Sequence, residues 1–465
     1  MTKSILFLLA SSIFFSVSSY AEDFPGGSSK EEFEKAFAED KGISASDTSN
    51  SEKDRLSIGG SVQAEYTDAV NEGSNDYGSE NEDKFTNPYT LYLYFDGRLR
   101  HDIRGFATMK TVYDPSYNDA NDDSGDDSAT TEQTRVKPDH IVSTFDELKL
   151  MFNVKKRVYL TLGKQKIKWG AAKFWNPTDL INSSKRDFLK SEDERAGVPL
   201  AKIHIPISDA NFYAIGLFDH ADKTSQIGYA GRFEIPLKSS EFSLSALGHK
   251  NKKTLYAADF SAGIGDFDVY GETVFSKGSN TVKYRALSSW PVTSVPSTSA
   301  TTASFEPCIP NSNYPYLVPC EAYTEDDKTI TKYTAGISYE HSYLDKDTFT
   351  IFLEYFHNDE GYEDEKDYLI VLQNNAYQPF YLGTRYGMVS FYIPSPGDLN
   401  DWTFTVFNIC NLDDGTYLSR LHTSVIAMQD LTVTGAIGHY YGNPDGELRL
   451  GGRKWDYSLS LKIVF

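Results

Sequence analysis

Residues 158–199 hold the densest set of groups with chemistry to offer. Lys164, Lys166 and Lys168 stand at every second position, a spacing that lines three ammonium groups along one face of an extended strand. In a water-filled pore such a row would draw in anions. Lys185, Arg186, Lys190 and Arg195 follow, mixed with Asp187, Glu192, Asp193 and Glu194. Elsewhere Glu65, Asp96, Arg98, Glu147, Lys149, Glu340, Glu354, Arg420, His422 and Lys462 alternate with apolar residues. Opposed rows of charge tune ion selectivity in a channel. The competing reading is that they pair with one another and only stiffen an interior.

Other chemistries find less support. A hydrolase needs a nucleophile and base in hydrogen-bond reach, and His422 with Ser424 is the nearest approach. Residues i and i+2 of a strand lie roughly 7 Å apart, too far for that bond. No G-x-S-x-G elbow occurs, so an enzyme is not expected. Asp119, Asn121 and Asp123 match the first, third and fifth places of a calcium loop, but Ser124 stands where glycine is needed and no Glu fills the twelfth. A hydrated acidic loop is expected there, with weak divalent bridging as the alternative, and no metal or cofactor is assigned. Cys308 and Cys320 bracket a Pro-rich stretch and suit a disulfide in an oxidising compartment, leaving Cys410 over.

The elements that must position these groups follow from a period of two. In the last stretch Trp455, Tyr457, Leu459, Leu461, Ile463 and Phe465 occupy alternate places, with Asp456, Ser458, Ser460 and Lys462 between them. That rhythm makes a strand with one apolar and one wet face. It recurs at residues 56–66, 89–98, 105–113, 145–154, 158–169, 201–207, 211–218, 226–235, 241–249, 255–263, 267–275, 332–343, 348–357, 387–393, 403–408, 416–428, 431–440 and 455–465. The count is about 18, with 16 as the alternative; single-chain bacterial barrels have an even number. Every long link falls on one parity, which also holds short ones at 219–225 and 250–254, and the other parity holds only short links, as an up-and-down transmembrane barrel with short periplasmic turns and long outer loops requires. Both termini then fall in the periplasm.

Residues 1–21 read as a secretory signal: Lys3, an apolar run too short to span a bilayer, and Ser19-Tyr20-Ala21 as a cleavage site. Residues 22–55 form an acidic, Ser-rich leader, periplasmic or lumenal. Either it holds a short helix after Ser29-x-x-Glu32 or it has no fixed structure. Residues 56–465 are the barrel. A mean hydropathy of −0.45 is consistent with this, because a barrel hides its membrane face in alternation. The 31 Tyr and 29 Phe suit interfacial girdles. A net charge of −21 argues against nucleic acid and is compatible with outer loops that meet divalent-bridged lipopolysaccharide.

The lysine row poses a problem of facing. Val158, Leu160 and Leu162 look outward, and the same parity would put Lys164, Lys166 and Lys168 into lipid, at roughly 2–4 kcal/mol per cation at mid-depth. Either the strand has left the bilayer by Lys164, or a bulge at Gly163 swaps the faces and turns Ile167 and Trp169 to lipid. The face swap is the expectation carried forward. The long link after it, with Trp175-Asn176-Pro177-Thr178-Asp179, would either fold inward as a constriction or stay outside, held by its own ion pairs.

Two stretches resemble known proteins. The final strand, ending in Phe465, resembles the C-terminal strand of Gram-negative outer-membrane barrels, which implies recognition by the barrel-assembly machinery. Gly163-Lys164-Gln165-Lys166-Ile167-Lys168-Trp169-Gly170, followed by Asn176-Pro177-Thr178-Asp179 and a mixed-charge run to Pro199, is similar to a porin-like family of unknown function akin to alginate-export barrels. The resemblance implies a monomeric barrel that passes or exports a solute and names no substrate. The sequence therefore points to an outer-membrane porin or solute channel with a charged lumen, in contact with lipid and lipopolysaccharide. An adhesin or scaffold barrel acting through its long outer loops is the alternative, and an outer-membrane hydrolase a more distant one.

Overall fold

The computed structural model describes residues 56–71, 85–99, 103–115, 141–182, 185, 187–190, 195–219, 221–286, 320–343, 347–374 and 376–465. The leader, the signal and the acidic stretch at 119–127 lie outside them. The strands, in chain order, are β1 (Leu56–Asn71), β2 (Tyr89–Leu99), β3 (Ile103–Tyr113), β4 (Ile141–Val154), β5 (Val158–Gln165), β6 (Val198–Ile207), β7 (Ala210–Leu217), β8 (Gly228–Leu237), β9 (Ser240–Gly248) and β10 (Leu255–Ile264). They continue with β11 (Phe267–Lys277), β12 (Lys283–Ala286), β13 (Cys320–Tyr323), β14 (Thr329–Ser342), β15 (Thr348–Asn358), β16 (Arg385–Pro394), β17 (Trp402–Asn411), β18 (Thr416–Met428), β19 (Leu431–Gly442) and β20 (Arg453–Val464). All but β12 and β13 form one 18-stranded antiparallel sheet in which each strand pairs with its neighbours in sequence.

The sheet closes on itself. β1 runs antiparallel to β20, with Val62 opposite Ile463 and Ala64 opposite Leu461. Gly60 N–H donates to the Phe465 carbonyl and Phe465 N–H to the Gly60 carbonyl, both at 2.9 Å. Closure leaves no sheet edge, the condition for a strand protein to cross a bilayer. Gly60 is required for it: a Cβ there would lie 2.3 Å from the Tyr92 carbonyl oxygen.

Alternation has the physical outcome expected of it. Along β20, Tyr457, Leu459, Leu461 and Ile463 are exposed on the outer surface, while Ser458, Ser460 and Lys462 are half-buried on the inner one. Phe95, Leu148, Phe260, Leu353, Val406 and Leu421 continue the exposed apolar belt around the ring. The links also divide as expected. β4 and β5 are joined by a tight turn of three residues, Lys155 to Arg157, with Lys155 and Lys156 both at positive φ (53° and 55°), the sign of φ that matches strand twist in a hairpin. The opposite end carries the links at residues 166–197, 278–328 and 359–384. Two of these hold ordered pieces that the strand periodicity does not show, the hairpin β12–β13 and the helix α1 (Tyr368–Gln373).

One expectation is corrected. Pairing runs without a shift through Gly163 on both sides, Lys149 to Gly163 to Leu200, so β5 does not swap faces there. Gly163 has φ +119°, and a Cβ would meet the Leu148 carbonyl at 2.1 Å; glycine serves close approach, not an inserted residue. The bulge falls in β4 instead, where the register against β3 shifts between Thr108 and Met109. It turns the buried Asp146 inward beside Glu147. β5 ends at Gln165, and Trp169, expected at the lipid, is 6% exposed inside the barrel.

Replacing Gly60 with Ala should strain the seam by about 1–3 kcal/mol, the usual cost of forcing a methyl group into packed structure. The expected reading is a lower urea midpoint for the compact, heat-sensitive band on a semi-native gel.

Candidate functional site

Beyond Gln165 the chain enters the lumen and crosses it. Trp169 and Ile181 pack with Val198, Leu200, Ile215, Leu217 and Ala230 on the inner wall of β6 to β8. Arg232 sits 5.5 Å over the Trp169 ring, itself fixed by Asp259 at 2.7 Å and Glu234 at 2.7 Å. A few residues on, the fully buried Trp175 stacks on Phe356 of β15, with centroids 5.6 Å apart at 9°, and lies 5.5 Å from Tyr386 of β16. β16 is half the ring away from β5. The segment at 166–197 thus spans the interior wall to wall.

Irregular backbone in such a place has to find acceptors from protein, since each unpaired group costs several kcal/mol away from water. Two inward carboxylates supply them. Glu354 of β15 accepts the N–H groups of Lys173 (3.0 Å), Phe174 (3.1 Å) and Trp175 (2.7 Å), and the Tyr270 hydroxyl at 3.0 Å. Glu272 of β11 accepts Ala172 N–H at 2.5 Å, Thr178 N–H at 3.2 Å and the Thr178 hydroxyl at 2.8 Å. Thr334 of β14 donates its hydroxyl to the Trp175 carbonyl at 2.7 Å.

The rest of the lobe is held by charge. Arg195 donates to Asp179 at 2.7 Å and Asn182 to the same carboxyl at 2.6 Å; burial pushes the Asp179 carboxyl up and Arg195 opposes it. Lys190 reaches Glu65 of β1 at 3.8 Å. Lys185 lies 5.7 Å from the centre of the Tyr381 ring. Burial, and next the neighbouring Lys332, hold its ammonium down at about 8.

A second inward segment braces the first. Trp175 Nε1 donates to the Phe380 carbonyl at 3.0 Å, and Phe188 packs on Phe380 with centroids 5.4 Å apart. Phe380 N–H donates in turn to Glu447 at 2.7 Å. Phe407, Ile409, Leu418 and Tyr440 complete this apolar cluster on the far wall.

The residues singled out from sequence are distributed as follows. Lys164 pairs in register with Leu148 and Pro199, on the strand face of Leu160 and Leu162. Lys166, past the strand end, donates its backbone N–H to Glu147 at 3.1 Å and its ammonium lies 3.8 Å from Asp146. Lys168 lies further along the lobe, past the end of β5, so only Lys164 of the three belongs to a strand. Glu147 binds Lys149 at 2.8 Å, and Asp96 binds Arg104 at 2.7 Å with Arg98 at 3.7 Å. Arg420 is buried against Asp456, Glu340 is exposed, and Lys462 is half-buried. Cys320 carries a disulfide and Cys410 a free thiol; Cys308 lies outside the described residues. Glu272 and Glu447, absent from the candidates, are as well engaged as Glu354. One signal was present: neither Glu272 nor Glu354 has a cation opposite it on an adjacent strand.

A closed barrel with an apolar outer belt and a polar lumen crossed by its own loop is a porin-type fold. Comparison with solved structures agrees. OccAB1 of Acinetobacter baumannii is 11% identical at a TM-score of 0.52, over 89% of this chain and 97% of that one. OccK9 of Pseudomonas aeruginosa is 8% identical at 0.52, over 88% and 98%, and OccAB3 of Acinetobacter baumannii 9% identical at 0.50, over 88% and 99%. These are outer-membrane porins, and at such identities the likeness is one of fold. No family model matches the chain, and no curated protein matches it by sequence.

Replacing Glu354 with Ala orphans three backbone donors at about 1–3 kcal/mol each. The expected outcome is faster proteolysis within residues 166–197 while the barrel keeps its heat-sensitive migration.

Proposed function

We propose that this chain is a Gram-negative outer-membrane channel for small polar solutes, with both termini in the periplasm and its bore narrowed by the lobe at 166–197. The observation that carries the reading is the lobe itself. A barrel with a lipid-type outer face holds, across its interior, a hydrogen-bonded segment bearing charges of both signs. A constriction built this way limits solute size by its bulk and sorts solutes by its charges. The long outer links suit contact with lipopolysaccharide, and the closing strand suits delivery by the assembly machinery.

The bilayer experiment is direct. Purified protein in planar membranes should give unitary conductance steps, and excision of residues 171–190 should enlarge them several-fold. Steps absent from both proteins would leave a scaffold or adhesin barrel as the better reading.

Charge selectivity has a pH dependence whose sign is fixed. Lys185 loses its proton as pH rises through about 8, so the lumen loses a positive charge between pH 7 and pH 9. Reversal potentials in a salt gradient should therefore drift toward cation preference over that interval. Lys185→Gln should show the shifted value already at pH 7 and lose most of the drift.

A further inference from the structure

We propose that Glu447 is a positioning residue: it clamps the inward strap at residues 377–384 against Trp175, and its ionisation sets how firmly the constriction is held. The inference rests on the channel reading only for its consequence for flux, because the clamp itself is a matter of packing.

The geometry is specific. Glu447, 1% exposed, lies in the link between β19 and β20. One carboxyl oxygen accepts the N–H groups of Phe380 (2.7 Å) and Leu382 (3.3 Å). The other accepts the Tyr386 hydroxyl at 2.5 Å and the Asn411 amide at 2.9 Å. Tyr386 also takes the Gly383 N–H at 2.5 Å, so three of the strap's amides depend on this pair. The strap needs such restraint, since Phe380 sits at φ +66°, a region that bulky L-residues rarely adopt. Phe380 is also the residue whose carbonyl receives the Trp175 indole. One carboxyl group therefore reaches the constriction through one strained residue.

The surroundings decide how the clamp responds to pH. Facing Glu447 are Tyr386 from β16, Asn411 from β17 and Asp414 from the turn before β18, with Tyr368 from α1 and Tyr377 from the strap in reach of its charge; Asp413 acts on Tyr368, Tyr440 from β19 and Arg453 from β20 act on Tyr377, and Arg449 is on the same link as Glu447. Asp414 accepts the Glu447 backbone N–H at 2.7 Å. Burial first, and then the charge of Asp414, push the Glu447 carboxyl up to about 7 against the pull of its donors. In a released strap the carboxyl would return to its ordinary value near 4.5. The clamped form thus holds the proton more tightly than the released one, so clamping is firm in acid and weakens as pH rises through about 7. Between pH 6 and pH 8 those two values imply about a tenfold loss.

Hydrogen exchange of the full-length protein in detergent reads this without any need for conduction. Protection of peptides covering 377–384, corrected for intrinsic exchange, should fall about tenfold from pH 6 to pH 8, with barrel-strand peptides unchanged. Glu447→Gln, neutral throughout, should be flat over the same range. Asp414→Asn, which removes the charge beside the carboxyl, should keep the fall but move it to lower pH, with a midpoint below 7, because the carboxyl loses part of its upward push. Flat protection in the wild type, or an undiminished fall in Glu447→Gln, would overturn the proposal. A tenfold fall in a protein that passes no current would uphold the clamp and remove the channel reading alone.

Discussion

Unpaired backbone inside a barrel is the constraint from which the interior of this molecule follows. A closed sheet satisfies its own N–H and C=O groups, but a loop that turns into the lumen brings its amides with it and has no ladder to join. Here the wall provides carboxylates in place of a ladder. Glu354 collects three successive amides and Glu272 anchors the next turn, so the path of the lobe is written by two side chains on β15 and β11. Glu447 does the same for the strap. Each carboxylate is itself buried and would be costly without those donors, which makes the arrangement mutually dependent: neither loop nor glutamate is stable in place without the other.

Aromatic packing then gives the lobe its position along the wall. Trp175 between Phe356, Phe188 and Tyr386 fills the space between two inward loops, and its indole nitrogen ties them. The interior is consequently divided. Toward β6 to β8 the lobe is packed on aliphatic residues, and toward β1 it meets the wall through Lys190 and Glu65.

The barrel was legible in the sequence because lipid and water impose a period of two on every spanning strand, and the closing segment at Trp455 to Phe465 shows it almost without interruption. The facing of Ile167 and Trp169 was misread for a related reason. Ile167 and Trp169 continue the alternation past the end of β5, but they are apolar because they pack inside against Leu200 and Leu217, not because they touch lipid. Periodicity cannot tell these causes apart. The anchors were hidden by distance: Glu272 and Glu354 share the inward parity of many other polar residues, and what distinguishes them is a partner 100 or 179 positions away. Glu447 lies in a link with no period at all.

That same distance bears on biogenesis. Residues 166–197 follow the fifth strand, yet the groups that hold them belong to β11, β14 and β15 and to a link next to the last strand. While only the first half of the chain is in place, the lobe can pack on β6 to β8 and reach β1, but its backbone donors lack their carboxylates, and contacts so remote in sequence form late. The waist of the bore is therefore completed only as the ring closes.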